Sequence, residues 1–133
     1  MPYTRIAMRA GKPPEFRAAV VRELYNAMRE AFDVPEDDIF VTFTQHQADE
    51  FYYSRSYAGI ERDDDLLMIQ VTANNTRTLE RKKEFFARLA AGLEAGAGVE
   101  PRNVFVNITE CDKENWSLGL GLAQYAAPAG HAV

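Results

Sequence analysis

Ile39-Phe-Val41 and Val104-Phe-Val106 are two copies of one short apolar strand, 65 positions apart, and their match decides the fold. The same displacement lays Val34-Pro-Glu-Asp37 on Val99-Glu-Pro-Arg102, Leu24 on Leu89, Glu15 on Glu80 and Lys12 on Arg77. Self-similarity at a fixed interval marks a repeated structural unit. Pro2 falls on Leu67, at the opening of the run Leu66-Leu-Met-Ile-Gln-Val-Thr72.

Each copy reads as strand, helix, strand. Residues 3–9 are the first strand, and Gly11-Lys-Pro-Pro14 breaks it, with proline accepted in the first turn of a helix. Phe16, Val20, Leu24, Met28 and Phe32 recur every fourth residue, which predicts an amphipathic helix ending near Phe32. Ile39 to Thr44 is β-branched and aromatic, a second strand. Residues 45–65 predict a loop with one short strand at most. Leu66–Thr72 is the third strand. Leu79, Phe86, Leu89 and Leu93 stripe a second helix over about 78–95, stopped by Gly96, Gly98 and Pro101. Asn103 to Thr109 is the fourth strand, and 112–133 is a tail read as a hairpin laid on the core or a neighbour.

Crossovers of this kind are right-handed and join parallel strands. The expected fold is therefore α+β, an α/β sandwich: a duplicated β-α-β unit with a four-stranded mixed sheet and two helices on one face. The chain is one domain, 1–133, with repeats of about 1–65 and 66–133. The consecutive apolar residues Leu66 to Ile69 predict that the other face is apolar too. A second subunit would cover it, which predicts a closed homo-oligomer.

Composition narrows the function. A net charge of −5 without a basic run argues against nucleic acid. No run approaches the ~20 apolar residues of a membrane span. The single cysteine, Cys111, allows no internal disulfide and, with no signal segment, suits a reducing cytoplasm. Cys111, His46 and His131 lack the spacing of a metal site, so no metal is expected.

Chemistry could sit at few places. If Met1 is removed, Pro2 carries a free secondary amine, and α-amino groups titrate near neutrality, where acid–base work is done. Arg77 stands at the mouth of the second helix, where a cation is mildly unfavourable unless an anion binds there. Its repeat partner Lys12 is the same device or a relic of the duplication. Asp37 and Asp38 are turn residues, one of which could accept a proton or hold a water. Trp116, Leu118 and Tyr125 offer an apolar wall that would keep water from a site. Glu110 reads as a solvated rim residue.

Together these residues resemble the tautomerase superfamily, and within it the malonate semialdehyde decarboxylase group. The resemblance covers nearly the whole chain. It rests on Pro2, Phe32-Asp-Val-Pro-Glu-Asp-Asp38, Thr76-Arg-Thr78 and Glu114-Asn-Trp-Ser-Leu-Gly-Leu-Gly121 followed by Ala123-Gln-Tyr125. It implies a homotrimer with sites at subunit interfaces, a small carboxylate substrate and no organic cofactor or metal. It implies loss of Met1, Pro2 as catalytic acid or base, Asp38 as its polar partner or water holder, and Arg77 as carboxylate binder. Asn75, Trp116 and Leu118 would line the substrate. A cationic Pro2 amine would serve decarboxylation of a 3-oxo acid or hydration of an unsaturated acid. A neutral amine would serve keto–enol tautomerisation of a 2-oxo acid of phenylpyruvate type. A third alternative is a trimeric interaction protein that kept the fold and lost the reaction. The chain departs from the pattern where decarboxylases can carry a second arginine, here Asn75, and where cis-3-haloacrylate dehalogenases place one, here Asn74. One arginine means weaker anion clamping, which argues against dehalogenation.

Overall fold

The computed structural model describes residues 2–126; Met1, whose removal the sequence reading requires, and residues 127–133 lie outside the described residues. Four strands and two long helices are present in the expected order: β1 (Tyr3–Arg9), α1 (Pro14–Phe32), β2 (Val41–His46), β3 (Leu67–Asn74), α2 (Leu79–Ala97) and β4 (Val104–Cys111). The sheet runs β2-β1-β3-β4. β1 lies parallel to β2, β3 parallel to β4, and the two units meet antiparallel along β1 and β3.

The duplication extends to the hydrogen-bonding register. Thr4 pairs with Val41 in the first unit, and the equivalent Ile69 pairs with Val106 in the second. Both helices lie on one face of the sheet. Val20, Leu24 and Met28 of α1 and Phe85, Leu89 and Leu93 of α2 are sealed between helices and sheet, with Ile6, Ile69 and Val71 below them. Each such side chain is worth about 1.5–3 kcal/mol of burial. Phe32 stacks on Phe85 at 4.5 Å between ring centroids and locks the C-terminal end of α1 to α2.

Three expectations need correction. Gly96 lies inside α2, and Gly98 is the left-handed cap, φ 70°. The position tolerates glycine because α1 passes close by: the Glu23 side chain lies against Gly92 and Gly96, and Arg22 donates to the Gly96 carbonyl at 3.3 Å. The segment after β2 holds two 3-10 turns, Ala48–Glu50 and Tyr57–Gly59, and no strand. The tail forms 3-10 turns at Lys113–Asn115 and Gln124–Ala126, and no hairpin among the described residues.

The second face of the sheet is not the apolar surface read from Leu66–Ile69. Leu67 and Ile69 point to the helices, and Leu66, also buried, lines a cavity with Tyr52, Tyr53 and Tyr57 of the segment after β2. The open face itself mixes Arg5, Thr44, Gln70 and Asn107 with Ala7, Met68 and Phe105. Among the described residues no helix is long and apolar enough to cross a membrane.

Candidate active site

Antiparallel pairing of β1 with β3 brings the two ends of the argument together. Tyr3 is opposite Thr72, so the start of β1 lies against the end of β3, from which the chain runs on to Arg77. Pro2 is buried there, as an ordered strand start should be. On its other side, the Thr4 N–H donates to the Phe40 carbonyl at 2.9 Å, which brings the turn containing Asp38 alongside the same end of β1. Lys12 follows β1 at its far end, where it pairs with Asp65 at 3.0 Å, and Leu67 stands in for the proline. The repeat thus places Pro2 and Arg77 at one end of the sheet and Lys12 at the other.

Arg77 precedes Thr78, whose hydroxyl caps α2 by accepting from the Arg81 N–H at 3.3 Å. Its guanidinium, however, reaches back to the C-terminal end of α1. Nη2 donates to the Phe32 carbonyl at 3.1 Å, and the group lies 5.0 Å over the Phe32 ring. Arg81 does likewise, donating to the Ala31 carbonyl at 3.4 Å and pairing with Asp33 at 2.6 Å. Carbonyls at a helix end need donors, and the helix dipole welcomes cations there. The sequence reading placed Arg77 at the unfavourable end of α2; the favourable end of α1 is what holds it. Arg77 Nη1 is buried and has no hydrogen-bond partner. A buried guanidinium N–H left unbonded is costly unless a ligand accepts it.

Of the two aspartates, Asp37 is exposed, in a left-handed conformation at φ 65°, with its N–H donating to the Tyr25 hydroxyl at 3.0 Å. Asp38 is half-buried and within electrostatic reach of Arg77. Burial raises its carboxyl above the usual carboxylate range, against the pull of Arg77. Burial in turn lowers Arg77, helped by the like charge of Arg81 and opposed by Asp38 and Tyr125.

Tyr125 joins this group. Burial raises its phenol, Asp38 raises it further, and Arg77 lowers it. The sequence reading gave Tyr125 only a part in an apolar wall; its polar end lies within the field of the acid and the guanidinium. The signal was its place beside Trp116-Ser-Leu118, with no distance in sequence to show that the tail folds back. Trp116 and Leu118 line a groove of about 490 Å³ with Tyr3, Ile39, Phe40, Val41 and Thr42, along the same edge of the molecule. Asn75 does not join them: it is exposed, and its carboxamide donates to Asp112 at 2.6 Å. Glu110 is tied to Lys82 at 2.8 Å on the flank of α2.

Comparison with known proteins bears on the family and the fold. Two family models, each described as tautomerase enzyme, match residues 38–119 and 2–55. The chain is 34% identical to a probable tautomerase, YusQ, of Bacillus subtilis (strain 168), over 93% of this chain and 98% of that one. Two structures of malonate semialdehyde decarboxylases superpose with it. One, described with decarboxylase and hydratase activities, gives a TM-score of 0.88 at 26% identity, covering 92% of this chain and 95% of that one. The other, the FG41 protein inhibited by 3-bromopropiolate, gives 0.86 at 31% identity, covering 92% and 93%. A fused 4-OT symmetric trimer shares the fold at a TM-score of 0.74 and 19% identity, covering 90% and 94%. With an enzyme family matched over most of its length and a sheet that brings Pro2, Asp38 and Arg77 to one end, the chain belongs to the tautomerase superfamily and is an enzyme of isomerase or lyase type.

Proposed function

We propose that the mature chain, freed of Met1, uses the Pro2 amine as acid or base on a small oxo acid whose carboxylate docks on Arg77, in the manner of a malonate semialdehyde decarboxylase. The observation that carries this reading is the buried, unbonded Nη1 of Arg77 at the end of the sheet where Pro2 begins. The other guanidinium nitrogen is fixed on Phe32, so Nη1 is presented in a set direction. A carboxylate accepting from it would replace a missing hydrogen bond with a charge-assisted one.

In the decarboxylating mode the Pro2 amine is cationic and polarises the 3-oxo group. The bond from the carboxyl carbon to C2 breaks, its electron pair becomes the enol double bond, and carbon dioxide leaves. C2 of the resulting enolate then takes a proton from the Pro2 ammonium, and solvent reprotonates the amine for the next turnover. Arg77 orients the departing carboxylate, and Asp38 supports the positive amine. Trp116 and Leu118 supply an apolar wall that strengthens these interactions by excluding water. The site is completed in a homotrimer, in keeping with the trimeric relative of the same fold.

A second reading has its own support. Asn75 is held by Asp112 and leaves Arg77 without a second arginine, and the bacterial relative is named a tautomerase. A neutral Pro2 amine would then abstract the proton beside a 2-oxo group and return it elsewhere. The Pro2 pKa, followed by NMR titration, separates the two: a value well above 7 favours decarboxylation. Turnover of both substrate types by the Pro2→Ala variant tests the shared claim. Intact mass tests the non-catalytic rival, which predicts retained Met1.

A further inference from the structure

Ala123-Gln-Tyr125 has so far supplied only Tyr125. Gln124 makes two hydrogen bonds of its own. Its Oε1 accepts from the Leu118 N–H at 2.8 Å, and its Nε2 donates to the Gly119 carbonyl at 2.9 Å. A side-chain amide is standing in for a backbone rung. The loop it closes needs the help. The backbone turns through three left-handed residues, Gly119 at φ 134°, Leu120 at 61° and Gly121 at 70°. Leucine adopts that conformation reluctantly, and this one is 93% exposed, so packing does not compensate. Across the turn the backbone adds one bond, Leu122 N–H to the Gly119 carbonyl, at a longer 3.3 Å.

The two ends of this clamp both belong to the site. Leu118 lines the groove with Trp116, and Tyr125 follows Gln124 directly. We propose that Gln124 is a positioning residue for the reaction: its paired amide bonds keep segment 116–125 folded over Asp38 and Arg77, with Leu118 and Tyr125 as the closure that shuts out water. This rests on the reading of Pro2 and Arg77 given above. Loosening the clamp leaves Arg77 in place, so substrate binding should survive while the chemical step slows.

Trp116 is the only tryptophan, so its fluorescence reports the closure without reference to activity. Acrylamide quenching and steady-state kinetics on a 3-oxo acid would be measured for wild type, Gln124→Ala and Gln124→Glu. The glutamate keeps the acceptor for Leu118 and loses the donor to Gly119. Gln124→Ala is expected to quench more readily, with emission shifted to the red. Its kcat should fall by about 10- to 100-fold, with KM within about threefold of wild type. Gln124→Glu should fall between, and it carries the test if circular dichroism shows the alanine variant unfolded. Wild-type quenching, or wild-type kcat despite altered quenching, overturns the proposal. If the wild type turns over no oxo acid, the reading of the function fails, and quenching alone decides whether Gln124 holds the wall.

Discussion

Arg77 is fixed to Phe32 twice, by an Nη2 bond of 3.1 Å to its carbonyl and by a guanidinium 5.0 Å over its ring, and its Nη1 is left buried without a partner. A planar fork can anchor with one nitrogen and present another in a fixed direction; an ammonium carries its three donors on a single nitrogen and cannot span both places. Arg77→Lys should therefore fail almost as badly as Arg77→Ala. Steady-state kinetics should show KM for the oxo acid raised by about 10- to 100-fold in either variant, the equivalent of one charge-assisted hydrogen bond. An unchanged KM in Arg77→Ala would show that the carboxylate docks elsewhere.

Asp38 gives a pH signature. Its carboxyl is held above the usual range chiefly by burial, so the folded protein takes up its proton more readily than the unfolded chain does. The sign follows from linkage. Below the ordinary carboxylate pKa both states are protonated and nothing is lost. As pH rises through the raised folded value, ionisation of Asp38 becomes a destabilising contribution, fully present above it. Asp38→Asn removes that contribution. Urea unfolding at several pH values should show the variant gaining stability on wild type as pH climbs from acid toward neutral. A stability difference independent of pH would place Asp38 in water.

Asn75 occupies the position of the second arginine, and its bond to Asp112 predicts the outcome of restoring one. Asn75→Arg alone should pair with Asp112 and change little. Asn75→Arg combined with Asp112→Asn should free the guanidinium and raise the ratio of decarboxylation to tautomerisation, read by assaying both substrates. Equal ratios in the double variant and the wild type would remove position 75 from the discussion of specificity.

The fold was legible in the sequence because the duplication repeats the apolar positions that its packing needs: Leu24 and Leu89 align in sequence and are both fully buried in the structure. Leu89→Ala should cost about 2–5 kcal/mol in urea unfolding, the range for a sealed core leucine. A loss below 1 kcal/mol would mean that the helices can close over the gap. What misled was context that no local pattern carries. Gly96 reads as a helix stop until Glu23 of the other helix is seen against it. Leu66 reads as proof of an apolar sheet face until it is seen to line a cavity with residues of the loop after β2.

The candidate site was legible in some of its members and not in its wiring: Asn75 turns away from it and Tyr125 brings a polar group to it. Pro2 and Arg77 stood out by residue type and place, whereas Asp38 was separated from Asp37 only by the family resemblance; antiparallel pairing of β1 and β3 sets Pro2 and the chain leading to Arg77 at one end. That Arg77 would be anchored by α1, that Tyr125 would lie in the field of Asp38, and that Asn75 would turn to Asp112 depend on chain segments 37 to 87 positions apart. Such contacts leave no periodicity to read.

Everything chemical in this account passes through the Pro2 amine. The most direct test is the turnover of a 3-oxo acid and of an enol 2-oxo acid by the mature protein and by Pro2→Ala, measured side by side. Loss of a positioned acid or base predicts rates lower by about 100- to 10,000-fold on whichever substrate the wild type accepts. Turnover unchanged by the substitution would contradict the account.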